Sequence, residues 1–441
     1  MYKIRIEALF GLMIILCLTI NAIIPIIADH KSSINSRIES TEIRTSSSYE
    51  YEWLATYGKD KVDRGFGITM DSLKNIYITG FQDGGGPLCL LKYNNSGFLL
   101  WNRTWGHGFG QDIVLKNDNS IYLTGFSSDR MCLLEYNSSG NLLLNKTWGY
   151  LDFGIGYGID LDSIGNIYIT GHFCNYGGDN SRMALFKYNT SGHLEWNKTI
   201  GVVQSEGKDI VVDEIGNIYI TGYKETTTNK EDLCILKYNS SGNLEWEGMW
   251  GGPESDCGNG ITLDNFGNIY ITGYKKISLG DLDLCLLKYN SSGNLEWAIT
   301  WGGDESESGN DIKLDNLGNI YITGFTGSFK EHSNFNDILL AKFDKKGNIL
   351  GFKTWGAWSG TDYGYGLIID DLGYAYITGA MIIHYPFDNF VDIFLLKYDL
   401  DKIPIIFNPA IPGYNIYFLI IGIGIVFVIT SLIKRHKLNF R

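Results

Sequence analysis

Proline and cysteine are both scarce in this chain, 7 of each in 441 residues. So few cysteines cannot form the dense disulfide framework of a small secreted scaffold. Four of them, Cys89, Cys132, Cys234 and Cys285, fall at one recurring position that Ala184, Leu339 and Phe394 fill elsewhere. A site that accepts Cys, Ala, Leu or Phe is a core site. Cys174 and Cys257 lie in different copies and are not expected to pair. Also missing are a Gly-x-Ser-x-Gly elbow, a phosphate loop, a zinc motif and any apolar run with helical period inside the body of the chain. Basic residues are outnumbered as well, and the formal charge is −13. With Lys3, Arg5 and Glu7 at the start and Lys434, Arg435, Lys437 and Arg441 at the end set aside, the remainder carries −18. A body this acidic lacks the clustered cations that neutralise phosphate, so nucleic acid is excluded as a partner.

What the chain has in plenty is glycine, 54 residues, and a repeated phrase. Asn-Ile-Tyr-Ile-Thr-Gly or a close variant ends at Gly80, Gly125, Gly171, Gly222, Gly273, Gly324 and Gly379. The intervals run from 45 to 55 residues, the range of propellers and solenoids. In the fifth copy a short β-type run, 260–264, turns through Asn265-Phe266-Gly267 into a second strand, 268–272. A polar stretch, 274–283, leads to a third strand, 284–289, and Asn290-Ser291-Ser292-Gly293 turns into a fourth, 294–301. Each run is short, rich in Ile, Leu, Tyr, Thr and Trp, and bounded by turn residues. Four consecutive antiparallel strands make one propeller blade. The nearly unbroken apolar third strand fits, since a blade is covered on both faces by its neighbours.

The array opens with Glu52-Trp53-Leu54-Ala55-Thr56-Tyr57-Gly58, which matches a fourth strand, and ends on a third strand, 393–398. The N-terminal strand (51–58) is therefore expected to complete the last blade and close the ring, which removes an exposed sheet edge. The fold class is all-β: a seven-bladed β-propeller of four-stranded antiparallel blades, 51–400. The unit Leu-Asp-x-x-Gly-Asn-Ile-Tyr-Ile-Thr-Gly followed by Leu-Lys-Tyr-Asn-x-Ser-Gly resembles the SBBP repeat of secreted and cell-surface proteins of bacteria and archaea. That resemblance covers 51–400 and implies the seven-bladed fold without implying one activity. Copy two departs in its first turn (Lys116-Asn117-Asp118-Asn119), and copies six and seven depart in the last turn. Lys-Tyr-Asn-Ser-Ser-Gly-Asn-Leu-Glu-Trp is also similar to repeats of the usually eight-bladed pyrroloquinoline-quinone dehydrogenases, but no cofactor-site signature accompanies it.

Both ends carry apolar runs. Residues 8–27 follow Lys3 and Arg5 and close at Ile26-Ile27-Ala28, which reads as a signal peptide, 1–28; the alternative is an uncleaved anchor. Residues 416–433 are apolar without a charge and run into Lys434-Arg435-His436-Lys437. This predicts a C-terminal transmembrane helix, 414–433, with a basic cytoplasmic tail, 434–441. A Ser/Thr-rich spacer, 29–50, and a linker, 401–413, flank the propeller, which is expected to face outward.

From the Gly ending strand two to the Lys or Glu of strand three the spacing varies between 10 and 18, while the rest of the unit varies only between 33 and 37. Insertions therefore concentrate in the strand-two-to-three loops, which share a face with the links between blades, and the working surface is expected there. The opposite face carries short turns with sequons at Asn94, Asn137, Asn189, Asn239 and Asn290; Asn102, Asn145 and Asn197 add three on the outermost strand. These are candidate N-glycosylation sites that would shield the lower face and rim, and equally Asn-x-Ser-Gly is ordinary turn chemistry.

An acid recurs at one position of the blade-to-blade link: Asp63, Asp152, Asp256, Glu307 and Asp362, with Gly108 and Ser205 in the other copies. These acids are expected to cap their own turns; the alternative is a ring at the channel mouth that binds Ca²⁺ or a cationic ligand. No cofactor is expected otherwise. His107, His172, His332 and His384 map to loops of the same face without metal-site spacing. The recurring Trp residues, Trp101, Trp196, Trp246 and Trp297 among them, keep step with the repeat, as packing requires. The pattern points to a membrane-anchored extracellular binding scaffold for a protein or glycan ligand, not an enzyme. The rivals are a lyase or hydrolase with a site at the channel mouth, and a structural component of a cell-surface coat.

Overall fold

The computed structural model describes residues 42–44 and 51–405, apart from 59–60, 118–119, 149–151, 176–180, 202–203, 227–229, 279, 331–334, 358–359 and 385–388. Seven antiparallel sheets follow one another along the chain, and six have their four strands in sequence order. Blade five is representative: Asp256–Leu263, Ile269–Ser278, Asp281–Tyr289 and Leu295–Trp301. Blade seven takes Tyr363–Ile369, Tyr374–His384 and Asn389–Asp399 from the end of the array and Trp53–Tyr57 from its start. Trp53 pairs with Lys397 and Tyr57 with Ile393, so the ring is closed by the strand the sequence assigned to it. Glu42–Arg44, inside the stretch read as a spacer, adds a fifth strand at the edge of this blade. The assigned linker likewise begins inside the fold, because a 3₁₀ turn, Leu400–Lys402, buries Leu400, and Ile403 is buried behind it. The apolar runs 8–27 and 416–433 lie outside the described residues. Among the described residues no helix is long and apolar enough to cross a membrane.

The repeated phrase is a set of blade-building parts. In blade five, Asp264 Oδ1 accepts from the Phe266 and Asn268 amides at 2.9 Å, and its Oδ2 accepts from Asn268 Nδ2 and the Tyr270 hydroxyl. Gly267 sits at φ +76, which completes the tight turn without side-chain strain. Ile269 and Ile271 are fully buried, and the Thr272 hydroxyl donates to the Cys285 carbonyl across the sheet. The terminal Gly is required because strand one is bulged beside it. A Cβ on Gly273 would lie 1.9 Å from the Cys257 carbonyl oxygen, and the other six copies leave 1.8–2.1 Å.

Each hydrophobic core is an interface between two blades. Tyr219, Leu233 and Ile235 of blade four pack with Ile261, Ile271, Cys285 and Leu287 of blade five, and the pattern recurs around the ring. Trp53, Ala55 and Tyr57 join the interface with blade one, so the N-terminal strand closes a core as well as a sheet. Cys89, Cys132, Cys234 and Cys285 are fully buried, as their recurrence implied, and Cys174 and Cys257 are buried and not joined in a disulfide. Trp101, Trp196, Trp246 and Trp297 each meet the strand-two Tyr of their own blade edge-on or tilted, at 6.1–6.4 Å. They are packing residues.

Candidate functional site

The first strands line a central channel with a cavity of about 560 Å³. Deep in it, the residue after the bulge alternates between Gly and Asp around the ring: Gly67, Asp112, Gly158, Asp209, Gly260, Asp311, Gly366. Each Asp accepts from its own following amide and from the amide of the next blade. Asp112 takes Ile159 N at 2.9 Å, Asp209 takes Ile261 N at 2.9 Å and Asp311 takes Leu367 N at 2.8 Å. The glycines make this possible, since a Cβ on Gly158 would lie 3.0 Å from the Asp209 Cα. Lys313 Nζ, 2.6 Å from Asp311, is the cation among these acids. Burial pushes Asp112 up to about 7 and Asp209 well above the usual carboxylate range. Asp160, whose Oδ2 bridges to Val212 N, is pushed up to about 6 by burial.

Toward the loop face the channel mouth divides into two arcs. One is aromatic. Tyr363 and Tyr365 of blade seven lead to Phe66 (Tyr365–Phe66, 5.0 Å), then to Phe109, Phe126 and Phe153 at steps of 6.3, 5.0 and 5.1 Å. These rings are half-buried, so their faces and edges remain open to the channel end. The other arc is polar. Glu206 holds Lys208 at 2.5 Å and accepts from the Ser181 hydroxyl at 3.3 Å. Lys208 Nζ stands 4.0 Å over the Tyr157 ring and 5.6 Å from that of Tyr223. The imidazole of His172 stacks on Tyr157 at 5.5 Å, with Nδ1 3.6 Å from Glu206 Oε1. Asn259 and Asn310 continue the arc, donating to the Gly309 and Gly364 carbonyls of the following blades.

Electrostatics sort the roles in this cluster. Burial holds the His172 pKa down despite Glu206, so the imidazole is neutral near pH 7; its buried Nδ1 has no hydrogen-bond partner among the described residues. Burial pushes Glu206 up, but the neighbouring Lys208 outweighs it and leaves the carboxylate below its usual range. Burial pulls Lys208 down, yet Tyr157 and Glu206 raise it above its ordinary value. The result is an ion pair, a neutral imidazole and two phenols beside an aromatic wall. Such a site can donate to and accept from hydroxyl groups while stacking on a ring.

The recurring acids are placed differently from a ring at the channel mouth. Asp256 accepts from Gly252 N at 2.7 Å and Lys276 N at 2.9 Å, tying the incoming link to the strand-two end of its own blade. Asp362 does the same with Ala357 and Ile382, and Glu307 with Gly303 and Ser328. Asp63 is buried and accepts from Asp83 N at 2.7 Å, while the Asp152 side chain lies outside what is described. Ser205 is the neutral version, accepting from Met183 N and donating to the Ile200 carbonyl. These carboxylates are spent on backbone amides within single blades, because a buried link needs its N–H groups satisfied. Among the described residues no three of His, Cys, Asp and Glu gather as a metal-holding group.

Of the four histidines, His172 enters the cluster, and it lies on strand two. His107 is exposed on a link, His332 is outside the described residues, and the side chain of His384 is not described. The sequon asparagines Asn94, Asn137, Asn189, Asn239 and Asn290 each accept two backbone amides through Oδ1, as Asp344 does in blade six. Asn102 donates to the Tyr57 hydroxyl, and Asn145 and Asn197 lie on outer strands. Glu206, Lys208, Tyr157 and the aromatic arc went unnoticed in the sequence. Their signal was variation at a fixed place, two residues apart in strand one and directly after the invariant Gly of strand two.

Residues 250–274, the last strand of blade four through the second of blade five, match the family model described as a β-propeller repeat, SBBP. Six further copies stand in phase with that match. The chain carries the SBBP-type β-propeller repeat. No curated protein matches it. Among solved structures this SBBP propeller is similar to that of U3-55K, with a TM-score of 0.54, 9% identity, and coverage of 78% of this chain and 98% of that one. The crystal structure of RRP9 WD40 repeats is similar too, with a TM-score of 0.55, 10% identity, and coverage of 80% and 99%. At such identities the likeness concerns the fold alone.

Proposed function

We propose that this SBBP propeller is a binding scaffold held at a membrane with its ring outside, and that its ligand is a glycan seated in the channel mouth. The observation that carries this is the two-sided mouth. A sugar ring has an apolar C–H face and a hydroxyl rim, and here an aromatic arc faces Glu206, Lys208, Tyr157 and Tyr223 across one opening. The strand-two-to-three connections, whose lengths vary from blade to blade, leave the same face and would select among ligands. The apolar runs 8–27 and 416–433 support export and a single-pass anchor with the basic tail in the cytoplasm.

One observation favours a second reading, a lyase or hydrolase working at the same mouth. A neutral His172 whose buried Nδ1 has no hydrogen-bond partner among the described residues, beside Tyr157 and an ion pair, retains a basic nitrogen that could take up a proton. A glycan array probed with the full-length chain in detergent tests both. Binding should appear and fall at least about tenfold in Tyr157→Ala and Lys208→Met, with circular dichroism showing that each variant stays folded. An array without a bound glycan sinks the proposal; release of new reducing ends or unsaturated products from the bound glycan moves it to the enzyme.

A further inference from the structure

The turn face, opposite the loops, carries the strand-one-to-two and three-to-four turns. Six of its seven inner turns hold a large apolar residue out into solvent: Leu73, Ile164, Ile215, Phe266, Leu317 and Leu372, each 70–86% exposed. The openings of the fourth strands add an outer set, Phe98, Leu143 and Leu244 among them. Of seventeen large apolar side chains exposed among the described residues, only Met249, Ile277 and Phe335 lie away from this face, its strand ends or the chain's exit. The turns do not need these side chains. An Asp carboxylate closes each turn, with Gly at the left-handed position in five of the six and Lys74 in the first, and the apolar residue between them stays largely in solvent. A crown of this kind marks an interaction surface.

The chain itself indicates what covers it. Strand four of blade seven enters from this face at Trp53, and the exit is pinned here too, with Leu400 N donating to the Gly373 carbonyl and Lys402 paired with Glu52. From Ile405, itself 80% exposed, ten residues lead to the apolar run that begins at Ile416. Ten residues reach at most about 35 Å. Charges on this side are largely paired: Lys187 with Glu195, Lys237 with Glu245, Lys288 with Glu296, Lys74 with Asp371.

We propose that the turn face docks on the lipid surface of the membrane that holds the chain, its crown of apolar side chains entering the interface and its loop face pointing away. This rests on 416–433 being a membrane span. Short apolar side chains on a charge-paired face suit a zwitterionic surface, with little dependence on salt. The sequons at Asn94, Asn137, Asn189, Asn239 and Asn290 are on the same face and stay unmodified in this arrangement, serving as turn caps.

The test uses the full chain in nanodiscs of phosphatidylcholine, with Cys17→Ala and one added cysteine at Ile215, Phe266 or, on the loop face, Glu305. A polarity-sensitive maleimide should label the added thiol selectively, because Cys89, Cys132, Cys174, Cys234, Cys257 and Cys285 are buried. At Ile215→Cys and Phe266→Cys the emission should shift to the blue and be quenched at least twofold by bromine-labelled acyl chains, with Glu305→Cys unchanged. Dyes that report water on both faces of an incorporated chain overturn the docking alone. A chain that washes off the bilayer in alkaline carbonate overturns the anchor and the docking with it. A shift that appears in detergent without lipid and grows with protein concentration assigns the crown to a second copy, and glycan mass on the five turn-face sequons also refutes the proposal.

Discussion

The two faces of the propeller use the same repeat in opposite ways. On the loop face every blade differs: link acids alternate with Ser205 and Gly108, loop lengths vary, and the mouth is half aromatic and half polar. On the turn face the blades are near copies, each closing its first turn with the same side-chain-to-backbone bonds and exposing an apolar residue. Variation concentrates where a ligand of particular shape would be met. Repetition persists where a flat, unspecific surface suffices. Blade two is the exception, with Lys116 and Asn117 in its first turn.

The sharpest way to break this comparison is at the frame both faces share. Gly273→Val should prevent folding, because even the first carbon would sit 1.9 Å from the Cys257 carbonyl oxygen and strand one cannot retreat from the channel. Soluble expression and circular dichroism would register it, and a folded, cooperative variant would contradict the bulge argument. A smaller effect is expected from pH, and it belongs to the channel beneath the loop face. Asp112 and Asp160 have folded pKa values raised to about 7 and about 6 from 3.8, so the folded state binds more protons than the unfolded one between those limits. Their contribution to stability is then fully present below about pH 4 and is lost as pH rises through 6 and 7. The Tm should fall between pH 5 and pH 8 from these groups, and Asp112→Asn should flatten that fall at some cost to the Ile159 bridge. The smallest effect is on the turn face: Phe266→Ser and Leu317→Ser should change stability by no more than about 0.5 kcal/mol in detergent. A loss of 2 kcal/mol or more in urea unfolding would mean that the crown packs within the ring.

Blade number, ring closure and the buried cysteines were legible in the sequence because each is periodic, and seven copies average out local ambiguity. Asp264, Gly267, Asn268, Thr272 and Gly273 could be placed on a turn and strand, although the reason for Gly273 needed the bulge across from it. The mouth cluster was not legible. Tyr157, His172, Glu206 and Lys208 come from two blades, and periodicity suppresses what is peculiar to single copies. The link acids were half legible. Their turn-capping role followed from Asp beside Gly-rich links, whereas the second partner, an amide at the far end of strand two, needed the fold to bring it near. Glu42–Arg44 escaped because three residues of Ser/Thr-rich context carry no strand pattern.

The alternation of Asp and Gly deep in the channel has one more implication. A pattern of period two cannot close on seven members, so parity forces one mismatch, and it falls where Gly366 of blade seven meets Gly67 of blade one. Blades two, four and six are riveted to their successors by these aspartates and blade three by Asp160, whereas blade seven meets blade one glycine to glycine. That same junction is the one fastened at the rim by the N-terminal strand. The ring thus behaves as a strip with a clasp: six hinges formed by continuous chain, and a single buckle whose strength sits at the circumference because arithmetic denies it one at the centre.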